Sequence, residues 1–118
     1  MDLKIKRVYE KPSTGDGFRI LVDRLWPRGL TKEKASVNLW MKDLAPSTEL
    51  RKWFGHDPNK WEEFQKRYLL ELDQNKEQLI LLNEHLKNGT VTLVYGTKDE
   101  EHNEAVVLRD MINTASKI

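Results

Sequence analysis

The chain has 118 residues, 38% hydrophobic and 33% charged, with a net charge of +1 and no cysteine. This is one domain's length of ordinary, rather polar globular composition, so a single α/β domain over residues 1–118 is expected. The missing thiols exclude disulfides, thiolate nucleophiles, iron–sulfur clusters and cysteine-ligated zinc. No apolar run, Leu79–Leu82 included, approaches bilayer length. The segment MDLKIKRVYE carries charges where a signal peptide needs an apolar stretch, and a cytoplasmic location is expected. The charge is uneven: residues 1–60 carry +5 and residues 61–118 carry −4, which hints at an anionic partner.

Leu3–Val8 alternates apolar and charged residues and predicts a half-exposed strand. YEKPSTGDG then reads as a loop. Phe18–Asp23 is almost wholly apolar after Arg19 and predicts a buried strand, broken at Pro27 and Gly29. Thr31–Ser36 reads as a short helix and Val37–Met41 as a third strand. Ser47 is a suitable N-cap for a helix over Thr48–Phe54, stopped by Gly55. Asp57-Pro58 opens the next helix, whose apolar face is Trp61, Phe64, Tyr68 and Leu72. Asn75 and Gln78 resemble a capping box for a helix with Leu79, Leu82 and Leu86 inward, ended by Asn88-Gly89. Thr90–Tyr95 predicts another buried strand. Asp99 or a neighbour starts the last helix, with Ala105, Leu108, Ile112 and Ala115 inward.

Helices alternating with buried strands predict an α/β fold with a small, mainly parallel sheet flanked by helices. The connection between the first two strands is short for a parallel crossover. Either that pair is antiparallel or another strand lies between its members.

In open parallel sheets, ligands bind beyond the carboxyl ends of the strands. DRLWPRG (23–29), KDLAPS (42–47) and YGTKDEEHN (95–103) follow strands directly and would meet at one edge. Arg7, Arg24, Arg28 and Arg51 offer forked donors for phosphate or carboxylate, with Asp23 anchoring one of them. The alternative is that Asp23, Glu71 and Asp99 neutralise these arginines internally. Ser47 and Lys42 would assist an anion at a helix N-terminus, although a serine there is more often a cap than a nucleophile. His102, beside Asn103 and in the first turn of the last helix, would be held neutral by that helix end; the alternative is an exposed helix residue. Asp23, Lys98 and His102 are the candidates for proton transfer. His56 reads as structural, packed beside a tryptophan, and His85 as a surface residue. Trp26 is the tryptophan best placed to stack on a base or sugar. His56, His85 and His102 match no metal-ligand spacing, and no cofactor fingerprint is present.

The motifs KRVYE, DGFRILVDRLWPRGL, KDLAPSTELRKWFGHDP, W-x-x-F-x-x-x-Y-x-x-EL and KD-x-x-HN-x-A run through the chain. Through them it resembles the YeaO-like family of uncharacterised bacterial proteins. The resemblance implies a Rossmann-like three-layer fold and no particular reaction. The function expected is binding of an anionic small molecule, a nucleotide or phosphorylated metabolite, with or without acid/base chemistry. A nucleic-acid-binding or processing accessory domain is the first alternative, and an interaction module without a ligand the second.

Overall fold

Four strands run in one direction through the computed structural model, which describes residues 2–116. They are β1 (Leu3–Arg7), β2 (Phe18–Leu21), β3 (Leu39–Trp40) and β4 (Val91–Tyr95), in the spatial order β1-β4-β2-β3 with every pairing parallel. Leu93 sits opposite Ile5 on one side and Ile20 on the other. The two apolar strands β2 and β4 are therefore neighbours in the sheet interior, and β4 is buried along its whole length.

β4 is also the strand that separates β1 from β2. The chain returns over β4 without an α-helix, through a turn closed by the Glu10 amide on the Arg7 carbonyl, a short irregular stretch and a 3-10 turn at Thr14–Asp16. Gly17 makes the re-entry possible. Its φ is +64°, and a Cβ there would collide with the Thr90 carbonyl.

The two faces of the sheet differ. Ile20, Val22, Val91, Leu93 and Tyr95 alternate toward one side. There they meet α2 (Thr48–Phe54), α3 (Trp61–Asp73), α4 (Lys76–Lys87) and α5 (Glu104–Ser116). On the other side, Val8, Leu21 and Val94 pack against Ala35 of α1 (Lys32–Ala35) and against Trp26, Leu30, Val37 and Trp40. This is the three-layer α/β arrangement. Among the described residues, no helix is long and apolar enough to cross a membrane.

The rest of that second face is polar. Arg19 and Asp16 are almost fully buried there, with Arg19 Nη1 2.7 Å from Asp16 Oδ2. Arg19 also donates to the Ser36 and Ala35 carbonyls at 3.1 and 2.8 Å. Lys6 Nζ reaches both Asp16 oxygens at 3.2 Å, and the Ser13 amide donates to Oδ2 at 3.1 Å. Thr92 of β4 donates its hydroxyl to the Asp16 carbonyl at 2.6 Å. Burial alone would raise the Asp16 pKa. The Ser13 amide and hydroxyl, Lys6 and Arg19 outweigh it and hold the carboxyl far below the usual carboxylate range.

Several local expectations are corrected. Asn75 does not form a capping box; its side-chain amide donates to the Asp43 carbonyl. α5 begins at Glu104, capped by Asn103, whose Oδ1 accepts from the Val106 amide at 3.1 Å. Asp99 instead closes an Asx turn ahead of the helix. Ala115 is exposed rather than inward. His85 is half-buried and stacked on Phe18, with ring centroids 4.6 Å apart.

Candidate functional site

Because the strands are parallel, the segments that follow β2, β3 and β4 emerge at one edge. There they enclose a cavity of about 510 Å³. Asp23, Arg24, Trp26 and Arg28 line it from the first segment, and Pro46 from the second. Gly96, Thr97, His102, Asn103 and Glu104 come from the third, and Arg51, Phe54 and His56 from α2 and the turn after it. The irregular backbone after β2 is fixed by its tryptophans: Trp26 Nε1 donates to the Leu30 carbonyl and Trp40 Nε1 to the Asp23 carbonyl, both at 2.7 Å.

Asp23 does not anchor an arginine. Its Oδ2 accepts from the Gly96 amide at 2.7 Å, and a Cβ at position 96 would come to 3.0 Å from that same oxygen. Its other neighbour is Glu104. Burial, then the charge and hydrogen bond of Asp23, push the Glu104 pKa well above the usual carboxylate range. Glu104 Oε1 is buried without a hydrogen-bond partner. Sequence reasoning missed Glu104, although its signal was present: it lies one helical turn before Leu108 and two before Ile112 on the inward stripe of α5.

The four arginines part company. Arg7 donates Nε to the Thr97 carbonyl at 2.9 Å and braces that loop from outside the cavity. Arg24 lines the cavity but spends donors on the Ala45 and Pro46 carbonyls at 3.0 and 3.3 Å, with Asp43 3.7 Å away. Arg28 and Arg51 are exposed, line the cavity, and have no carboxylate at ion-pair distance among the described residues.

Three other candidates lie outside this cavity. Ser47 caps α2, accepting from the Leu50 amide at 3.1 Å. Its own amide and hydroxyl both donate to Glu71, at 2.8 and 2.5 Å, so a carboxylate of the protein itself occupies the place expected for an anion. Lys42 lies over the Trp40 ring, 4.6 Å from its centroid, and Lys98 is exposed.

His102 precedes α5 rather than standing in its first turn. Its Nδ1 is 2.9 Å from Asp99 Oδ2, and Nε2 has no partner among the described residues. Burial acts to raise the Asp99 pKa, but the Glu101 amide and His102 hold it below the usual range. Trp61 meets the imidazole edge-on, with centroids 5.2 Å apart. Asn103 is buried, and besides capping α5 it donates to the Asp99 carbonyl at 2.9 Å. His56 is not packed beside a tryptophan. It is exposed on the cavity rim with φ +58°, its Nδ1 3.4 Å from Thr97 Oγ1. Such a left-handed conformation is uncommon for a residue with a side chain and concentrates at functional positions. Tyr9, a second lining residue that the sequence did not single out, donates its hydroxyl to the Arg28 carbonyl at 2.9 Å. Among the described residues, no three His, Asp or Glu side chains cluster closely enough to hold a metal ion.

Comparison with known proteins follows the chain almost end to end. A family model described as the inactive DUF488-N3 subclade matches residues 2–117. The chain is 40% identical over 114 residues to the uncharacterized protein YeaO of Escherichia coli (strain K12), covering 97% of this chain and 99% of that one. It is also 40% identical over 111 residues to the uncharacterized protein Rv3073c of Mycobacterium tuberculosis (strain ATCC 25618 / H37Rv), covering 94% and 93%. No solved structure matches.

Proposed function

This chain belongs to the YeaO-like family, matched by the model of the inactive DUF488-N3 subclade, and we propose that it binds an anionic small molecule. The ligand is a nucleotide or phosphorylated metabolite, held at the carboxyl ends of the strands. The observation that carries this reading is the placement of Arg28 and Arg51. Two guanidinium groups without carboxylate partners among the described residues border one cavity, whose wall also carries the aromatic rings of Tyr9, Trp26, Phe54 and Phe64. A volume of about 510 Å³ is in the range of small-molecule sites. Arg24 adds positive charge deeper in, and His102 offers Nε2, with Asp99 fixing its tautomer.

Binding without turnover fits both the family's description and the site. Of the three proton-transfer candidates, Lys98 does not line the cavity and Asp23 is engaged by Glu104 and Gly96, which leaves His102. Thermal unfolding with inorganic phosphate, sugar phosphates and nucleotides at millimolar concentration tests the reading. A ligand at a hundred times its Kd stabilises by about 2.7 kcal/mol. At least one phosphate-bearing compound is expected to raise the wild-type Tm but not that of Arg28→Ala. No shift across the series, or equal shifts in both proteins, contradicts the proposal.

A further inference from the structure

Tyr9 is the least expected member of the cavity wall. It follows β1 directly and is 42% exposed, one of few large apolar side chains so open. It is nevertheless held at both ends. Its hydroxyl is bonded to the Arg28 carbonyl at 2.9 Å, and the Arg7 guanidinium lies 5.2 Å from its ring centroid. Arg7 is itself pinned to the Thr97 carbonyl. Beside the ring, Gly96 presents bare backbone: a Cβ there would come to 4.0 Å from Tyr9 Cε2. An aromatic plate already fixed in place loses little conformational freedom when something lies against it. Across the same cavity stand Trp26, Phe54 and Phe64. A phosphate bearing only hydroxyls has no use for such walls, whereas a flat base does.

We infer that Tyr9 is a stacking platform for a planar ring, and that the ligand is therefore a nucleotide rather than a phosphate ester without a base. This rests on the anion-binding reading above. The phosphate faces Arg28 and Arg51, and the base lies on Tyr9. A free nucleotide is favoured over a polynucleotide because the chain's net charge is only +1, far from the basic stripe that a phosphate backbone selects.

Calorimetric titration of AMP, GMP, CMP, UMP and ribose 5-phosphate into the wild-type protein tests this. At least one nucleotide is expected to bind about tenfold or more tightly than ribose 5-phosphate, the scale of one stacked base. Tyr9→Leu should bring that ratio close to one. Tyr9→Phe, which keeps the ring and loses only the bond to the Arg28 carbonyl, should retain the preference. Ribose 5-phosphate binding as tightly as every nucleotide, or a preference that survives in Tyr9→Leu, overturns the inference while leaving anion binding intact. If neither the nucleotides, ribose 5-phosphate nor inorganic phosphate binds, the anion-binding reading falls and this inference with it. Tight, steeply salt-dependent binding of oligodeoxyadenylate without binding of the mononucleotides assigns the site to polynucleotides and also overturns it.

Discussion

Two clusters in this molecule are built from the same materials, arginine set near carboxylates, and they end in opposite states. On one face of the sheet, Arg19 and Asp16 are sealed in, with side chains 4% and 7% exposed and partners for both. At the carboxyl edge, Arg28 and Arg51 stand open while the nearby carboxyls pair with each other, Asp23 with Glu104. The first arrangement is complete without a ligand. The second leaves positive charge facing a cavity, with acid groups withdrawn from neutralising it. A polar cluster that satisfies itself supports the fold; one that pairs like with like and exposes the remainder is arranged for something else.

The comparison is broken most forcefully from the closed side. Asp16→Ala leaves Arg19 and Lys6 without their carboxylate, and breaking a buried pair in this way costs about 3–5 kcal/mol, measurable by urea unfolding at pH 7. Phe64→Ala, a cavity in the main core, should fall in the same range of about 3–5 kcal/mol. Trp61→Ala should cost less than Phe64→Ala, because Trp61 is only partly buried against that core.

The two clusters should also respond to pH with opposite sign. The folded-state pKa of Asp16 is depressed, so its contribution is present above the unfolded value of about 3.9 and is lost as pH falls further. Asp16→Asn should therefore flatten the acid limb of a stability–pH curve. The folded-state pKa of Glu104 is raised. The native state then holds a proton that the unfolded chain releases above about pH 4.3, and stability erodes as pH rises. Glu104→Gln, whose amide can donate to Asp23 in place of that proton, should raise Tm at pH 8 and change it little at pH 4. A Glu104→Gln protein that melts below wild type at pH 8 contradicts the raised Glu104 pKa. The smallest stability effect belongs to Arg28→Ala, expected within about 0.5 kcal/mol of wild type in the absence of ligand.

Much of the fold was legible because apolar pattern decides it. The runs around Ile20–Val22 and Leu93–Tyr95 mark the two interior strands, and the spacing of Phe64, Tyr68 and Leu72 marks the face of α3. The even spacing of Leu3 and Ile5 was legible too, but strand order was not. The short return from β1 to β2 posed the question, and only a strand from the far end of the chain answered it. Site legibility divided by partner. Arg24, Trp26, Arg28 and His102 were placed near one edge by their position after strands, Arg51 was grouped with them only as a further arginine, and all five line one cavity. Ser47 did not, because the carboxylate that occupies its helix end comes from Glu71, a full helix later in the chain. Arg19 looked like one charge at the start of an apolar strand; its partner Asp16 was hidden in a segment that reads as an ordinary loop.

The central claim is that the closed cluster holds the fold and the open one holds a ligand. Paired melting of wild type, Asp16→Asn and Arg28→Ala, each with and without AMP and ribose 5-phosphate, tests it most directly. Asp16→Asn should melt well below wild type yet keep the ligand-induced rise in Tm, and Arg28→Ala should melt with wild type and show no rise. Should Arg28→Ala instead melt as low as Asp16→Asn, with no compound shifting the wild type, the carboxyl-edge arginines are part of the structural framework and the account is wrong.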